Sequence, residues 1–170
     1  MTQAGHKLAA HPVRTQARAL IEHAGHIALV RVHRKGLERW VLPGGGQDAG
    51  EPLQATVHRE CHEELGLLVQ VGPLCLVREF VPRNHDPARQ PFDVQCIDFV
   101  FRCTVHTDAA TPLHALVLGA GASQPDDEAV EARWLTLDAA LALPLYPECL
   151  REWLPRMLAE DRVHYVGDAL

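Results

Sequence analysis

Residues 43 to 67 read Pro43-Gly44-Gly45-Gly46-Gln47-Asp48-Ala49-Gly50-Glu51-Pro52-Leu53-Gln54-Ala55-Thr56-Val57-His58-Arg59-Glu60-Cys61-His62-Glu63-Glu64-Leu65-Gly66-Leu67. The order is a glycine-rich turn, then a helix, then a glycine stop. Pro52 suits the first helical turn, where a missing N–H costs nothing. Gly66 suits the left-handed position just past the last turn. Between them Leu53, Val57, Cys61 and Leu65 recur at helical spacing and make one apolar stripe. Glu60, Glu63 and Glu64 share an adjacent face, because positions three and four apart are neighbours on a helix. Like charges so placed repel by roughly 0.2–0.5 kcal/mol per exposed pair. No lysine is interspersed among them. A divalent cation at their centre would remove the repulsion, since hard cations take oxygen ligands.

The stretch resembles the Nudix box, G-x5-E-x7-R-E-U-x-E-E-x-G-U with U aliphatic. The fixed positions here are Gly45, Glu51, Arg59, Glu60, Cys61, Glu63, Glu64, Gly66 and Leu67. Only Cys61 departs from the pattern, and cysteine behaves as a small buried hydrophobe. The resemblance covers roughly Val13 to Leu158 and implies an α/β fold, the Nudix α/β/α sandwich with a mixed β-sheet. It implies a hydrolase that cleaves a phosphoanhydride bond in a nucleoside diphosphate linked to another moiety. A nucleoside triphosphate, ADP-ribose or a nucleotide sugar would be such a substrate. Carried over by position, Glu60 and Glu64 are metal ligands, Glu63 ligates or positions a water on the metal, and the carbonyl is that of Gly44. The implied cofactor is Mg2+, with Mn2+ as an alternative.

An arginine fork beside three carboxylates can hold them through bidentate hydrogen bonds. Arg59 and Glu51 are therefore expected to orient ligands, and Arg59 joins Glu63 and Glu128 in the expected catalytic set. Family members often place the general base a few residues before the tryptophan of a late strand. Here Asp126, Asp127 and Glu128 precede Trp134, and Glu128 has the closest spacing. A merely solvated acidic loop, a box-helix carboxylate in the same role, and Asp98 stay open as alternatives. Arg83 and Arg89 are candidates to hold substrate phosphates, against a plain solvated loop. Phe80, Phe92, Trp40 or Tyr146 could stack on a base, although core packing is the usual role of aromatics. Asp48 stands where the family often has glutamate. Pro82 resembles a marker of ADP-ribose-type pyrophosphatases.

Composition agrees with one soluble domain. The chain has 170 residues, 47% of them hydrophobic and 22% charged, which is enough to bury a core. A net charge of −6 argues against bulk attraction to nucleic acid or acidic lipid. It does not exclude an anionic small-molecule substrate, because a bound metal inverts the local field. Cys61, Cys75, Cys96, Cys103 and Cys149 contain no C-x-x-C, so free thiols in a reducing, cytoplasmic setting are expected. Among eleven histidines only His58 and His62 have helical spacing, on the face away from the acidic cluster. No stretch has signal-peptide or membrane-spanning character. Family members often dimerise, so the resemblance also offers a homodimer as a partner state.

Around the box, residues 1–11 are expected to be a flexible tail, 12–161 a single domain and 162–170 a C-terminal tail. A strand from Val13 to about Glu22, a turn at His23-Ala24-Gly25, a run from Ile27 to Val32, a next turn at Arg34-Lys35-Gly36 and a lead from Arg39 to Leu42 into the glycine turn place a hairpin before the box. Strands are expected over Leu67 to Val71 and Leu74 to Val81, broken by Gly72-Pro73, then over Val94 to Val105 and Val130 to Leu135. Residues 82–92 and 107–127 read as loops. A short helix follows from Leu137, and another from Pro147, which Pro155 should kink or split. A non-catalytic nucleotide sensor on the same fold is the competing function. Such modules typically lose box carboxylates, and this chain keeps them all.

Overall fold

The structure is a computed structural model that describes residues 13–34, 36–85, 94–107, 111–116, 118 and 129–170. The elements are β1 (Val13–His23), β2 (His26–Arg34), β3 (Leu37–Val41), β4 (Gly44–Gly46), α1 (Leu53–Leu65), β5 (Val69–Phe80), β6 (Gln95–Val105), β7 (Ala129–Thr136), α2 (Leu137–Leu141), α3 (Leu150–Ala159) and β8 (His164–Asp168). Short 3-10 turns lie at Pro82–Asn84 and Leu113–Ala115. The sheet runs β3-β2-β1-β6-β5-β8, with β4 on β1 and β7 on β2. The β1·β6 and β5·β8 pairs are parallel and the rest antiparallel, so the sheet is mixed.

Period-two alternation sends β1 residues to opposite faces. Ala17, Ala19 and Ile21 meet Val57, Cys61 and Leu65 of α1. Leu20 instead meets Ala140 of α2 and Leu150, Leu154 and Met157 of α3. One helix on one face and two on the other make the α/β/α sandwich. Each fully buried valine or leucine contributes roughly 1.5–3 kcal/mol, so the stripe of α1 alone secures the helix against the sheet. Among the described residues no helix is long and apolar enough to cross a membrane.

Three expectations need correction. The break at Gly72-Pro73 is a bulge inside one strand, with register shifts between Val71 and Leu74 and between Leu74 and Leu76. A bulge is where a strand tolerates proline's missing donor. The expected C-terminal tail is not a tail throughout, because His164–Asp168 forms edge strand β8 against Leu76–Glu79. Its short, polar sequence carries too little alternation to announce a strand. Pro155 does not split α3, which runs on to Ala159. The carbonyl it deprives of a donor belongs to Arg151, an exposed residue whose carbonyl can turn to water. Residues 1–11 lie outside the described residues.

Candidate active site

The site lies where α1 meets the short glycine strand β4. Gly44 needs glycine twice over: its φ is +132°, and an added Cβ would sit 2.2 Å from the Ala17 carbonyl oxygen. That close approach docks the turn on β1, where Arg18 pairs with Gly44 and Gln16 with Gly46. The Ala19 N–H donates to the Pro43 carbonyl at 2.8 Å. Gly45 faces the helix instead, and a Cβ there would lie 2.6 Å from Glu60 Oε1. The Gly44 N–H donates to Glu64 Oε2 at 2.8 Å. Turn and helix are thus fastened to each other through the box carboxylates themselves.

Helix α1 starts just after Pro52 and ends on Gly66, whose φ of 67° is left-handed. Its Val57, Cys61 and Leu65 are buried, and burial pushes the Cys61 thiol far up, as befits a packing residue. His58 and His62 are exposed. Arg59 sits at the centre of the polar face. Nε donates to Glu51 Oε1 at 3.0 Å, and Nη2 donates to Glu51 Oε2 at 3.1 Å and to the Gly46 carbonyl at 3.0 Å. Nη1 donates to Glu60 Oε1 at 2.7 Å and to Glu63 Oε2 at 3.3 Å. A guanidinium has five N–H donors, and each of these has a protein acceptor. Arg59 therefore joins Glu51, Glu60, Glu63 and the Gly46 carbonyl in one hydrogen-bonded cluster.

Glu51 also accepts from Thr56 Oγ1 at 2.8 Å and from the Asp48 N–H at 3.2 Å. The Arg59 hydrogen bonds hold its carboxyl down at about 2. Glu60 shifts the other way: its side chain is 14% exposed, and burial raises its pKa despite Arg59. Glu63 lies at the rim, 53% exposed. Asp48 is 78% exposed and 3.8 Å from Arg59 Nε, too loosely held to act as a fixed ligand.

The donor set suits Mg2+ or Mn2+ in kind: hard carboxylate oxygens beside a backbone carbonyl. As they stand, no three His, Cys, Asp or Glu side chains among the described residues are grouped closely enough to hold a metal ion. Glu60 is turned to Arg59, and one Glu64 oxygen to the Gly44 N–H. The half-buried Glu60 carboxylate, whose charge burial disfavours despite Arg59, would gain from further positive charge beside it. The residues therefore fit a hard divalent ion once the glutamates rotate. The Gly44 carbonyl accepts from Arg18 Nη1 at 3.2 Å, a partner the sequence reading missed.

The remaining candidates separate. Arg83 is exposed in the turn after β5 and forms no ion pair among the described residues. Asp98, an alternative base, is 2% exposed and accepts from Arg78 Nε at 2.8 Å, so it faces a guanidinium in the sheet rather than water. Trp40 and Phe80 are core residues, while Tyr146 is half-buried with the Arg39 guanidinium 4.2 Å from its ring. Glu128, Asp126, Asp127, Arg89 and Phe92 lie outside the described residues. Missed entirely were Thr56, Arg18 and Arg78. A polar residue interrupting a buried strand or helix face was the available signal for each.

Comparison with known proteins agrees with this architecture. The family model for the NUDIX domain matches residues 12–157. The chain is 33% identical to the nucleoside diphosphate-linked moiety X motif 6 protein of Xenopus laevis over 52% of its own length and 40% of that protein. It is 30% identical to the nucleoside triphosphatase NudI of Klebsiella pneumoniae over 53% of its length and 67% of that protein. The crystal structure of an ADP-ribose pyrophosphatase from Streptococcus suis superposes with a TM-score of 0.60 at 23% identity, covering 91% of this chain and 98% of that one. At that identity the likeness is one of fold. The chain thus spans well under half of the first of these relatives.

Proposed function

The chain belongs to the Nudix family, and from that premise we propose that it is a divalent-metal-dependent hydrolase. It cleaves a phosphoanhydride bond in a nucleoside diphosphate linked to another moiety. The observation that carries this reading is the glycine turn laid against Glu60 and Glu64 and held there through Arg59. Glu60, Glu63, Glu64 and the Gly44 carbonyl are the residues that would hold Mg2+ or Mn2+. When bound, such an ion neutralises phosphoryl charge and activates water.

The chain's own groups divide the rest of the work. Arg59, anchored on Glu51, keeps Glu60 and Glu63 gathered beside the glycine turn, so that only side-chain rotation separates them from an ion held there. Glu63 is proposed to orient the attacking water or accept its proton, a role its exposure, the greatest of the three glutamates on α1, supports. Glu128, next to the first residue of β7, is the other proposed base. Arg83 and Arg89 are proposed to hold the substrate's phosphates. Two relatives are named for a nucleoside triphosphate and for ADP-ribose, and both substrate classes contain the bond in question.

The test is Glu64→Gln assayed with magnesium against nucleoside triphosphates, ADP-ribose, nucleotide sugars, dinucleoside polyphosphates and coenzyme A. Turnover of the accepted substrate is expected to drop by more than about 100-fold. Unchanged turnover would remove the assignment of the box carboxylates. Metal binding by the unaltered chain with no product from any substrate would favour the sensor.

A further inference from the structure

On the α3 side of the sheet, beyond the box, runs a row of charge, buried at two of its three residues and partly buried at the third. It comprises Arg18 on β1, Asp98 on β6 and Arg78 on β5. Asp98 is paired in register with Gln16 on one side and Arg78 on the other. Arg78 and Asp98 are both buried, and Arg78 Nε donates to Asp98 Oδ2 at 2.8 Å. Arg78 also donates to the Ala169 carbonyl, just past β8. Across the row, Arg18 Nε and Asp98 Oδ1 face each other at 3.6 Å, and neither has a hydrogen-bond partner. That contact is Coulombic rather than directional.

The directional contacts of Arg18 point to the glycine turn. Nη1 donates to the Leu42 carbonyl at 3.0 Å and to the Gly44 carbonyl at 3.2 Å, and Nη2 donates to Gln16 Oε1 at 2.7 Å. The turn is therefore fixed peptide by peptide. The Leu42 and Gly44 carbonyls go to Arg18, the Pro43 carbonyl to Ala19, and the Gly44 N–H to Glu64. Buried ion pairs are a poor source of stability, because desolvation offsets their attraction and apolar residues of the same volume serve as well. An apolar side chain at position 18 would pack against the sheet but would release both carbonyls.

We propose that Arg18 is a positioning residue of the metal centre. It fixes the Gly44 carbonyl beside Glu60 and Glu64, and Asp98, itself held by Arg78, fixes Arg18. The inference rests on reading the turn and the box glutamates as a divalent-cation site. A carbonyl oxygen has two lone pairs, so accepting from Arg18 leaves one acceptor position open. Charge alone argues for the opposite effect, because a guanidinium near a cation site repels the cation. Positioning and repulsion therefore predict changes of opposite sign when Arg18 is replaced.

The experiment is Mn2+ titration of the full chain, with free Mn2+ followed by electron paramagnetic resonance. The unaltered protein is compared with Arg18→Gln, Arg18→Lys and Asp98→Asn. Thermal unfolding without metal ensures that each variant is titrated well below its midpoint. Arg18→Gln is expected to weaken Mn2+ binding by about 10- to 100-fold, the usual cost of losing a group that orients a ligand. Arg18→Lys, which keeps the charge and can reach a carbonyl, is expected to recover part of that loss. Asp98→Asn should weaken binding by a smaller factor. An Arg18→Gln protein that binds Mn2+ as tightly as the unaltered chain, or more tightly, overturns the proposal. If Arg18→Gln does not fold, unchanged affinity in Asp98→Asn overturns it instead. An unaltered chain that binds no Mn2+ removes the metal-site reading and this inference with it, an outcome distinct from a variant that binds normally.

Discussion

Glu51 shows how one box residue links stability to pH. It takes hydrogen bonds from Arg59, Thr56 and the Asp48 N–H, and the Arg59 bonds chiefly lower its pKa from an ordinary 4.5 to about 2. A group depressed on folding stabilises the native state above its unfolded pKa and ceases to do so as pH falls through the folded value. The window is therefore pH 4.5 down to 2. Glu51→Gln should melt lower than the unaltered chain at pH 7 and show a shallower loss of melting temperature across that window. Circular dichroism melts from pH 7 to 2 read this directly, and parallel pH profiles would reject the assignment. That Arg59 lies among the box carboxylates was legible, because they sit at fixed spacing in one local segment; its bonds to Glu51 were not. The roles of Arg18 and Asp98 were not. Each reads as a polar residue in an alternating strand, and only the parallel register of β1 and β6 brings them together.

At the scale of elements, the glycine turn separates two kinds of requirement. Alanine at 44 would drive its Cβ to 2.2 Å from backbone, at a φ of +132°. Neither the Ala17 carbonyl nor the dihedral can yield cheaply, and backbone strain of this kind costs about 1–3 kcal/mol before the clash is counted. Alanine at 45 meets the end of the Glu60 side chain at 2.6 Å, which can swing aside. Gly44→Ala is thus expected to lower the melting temperature by at least about 2–4 °C for each kcal/mol lost. Gly45→Ala should melt near the unaltered chain yet bind Mn2+ about ten-fold more weakly, because it displaces Glu60. Melting curves and Mn2+ titration of the two variants check this, and identical behaviour would mean that the turn does not divide its tasks this way. Helix α1 was legible from its stripe and its glycine stop. Strand β4 was not, because three glycines carry no alternation and their pairing with β1 depends on close approach rather than side-chain pattern.

For the whole molecule, local patterns exposed the hairpin, the box helix and the late helices. The sheet order stayed hidden, because both parallel pairings join strands far apart in sequence. The least visible of these, β8, closes one edge of the sheet. It pairs with Leu76–Glu79 and buries His164 beside Trp153, ring centroids 5.3 Å apart. Asp168 accepts from the Val81 N–H at 2.8 Å and from Asn84 Nδ2 at 2.7 Å, and pairs with His85 at 2.8 Å. Beyond it, the Ala169 carbonyl anchors Arg78 and so the charged row that leads to Gly44. Deleting residues 163–170 would bare the β5 edge and release Arg78 together. Loss of a paired strand with a buried side chain is expected to cost more than about 2 kcal/mol, or roughly 4–8 °C in melting temperature for a chain of this size. Amide exchange should quicken first at residues 76–81, which pair with β8 or donate to Asp168. Asp168→Asn, which keeps the strand, should quicken exchange only around residues 81–85. A truncated chain that melts with the full chain and keeps its β5 protection would show that β8 is not an integral strand and that Arg78 is fixed by Asp98 alone.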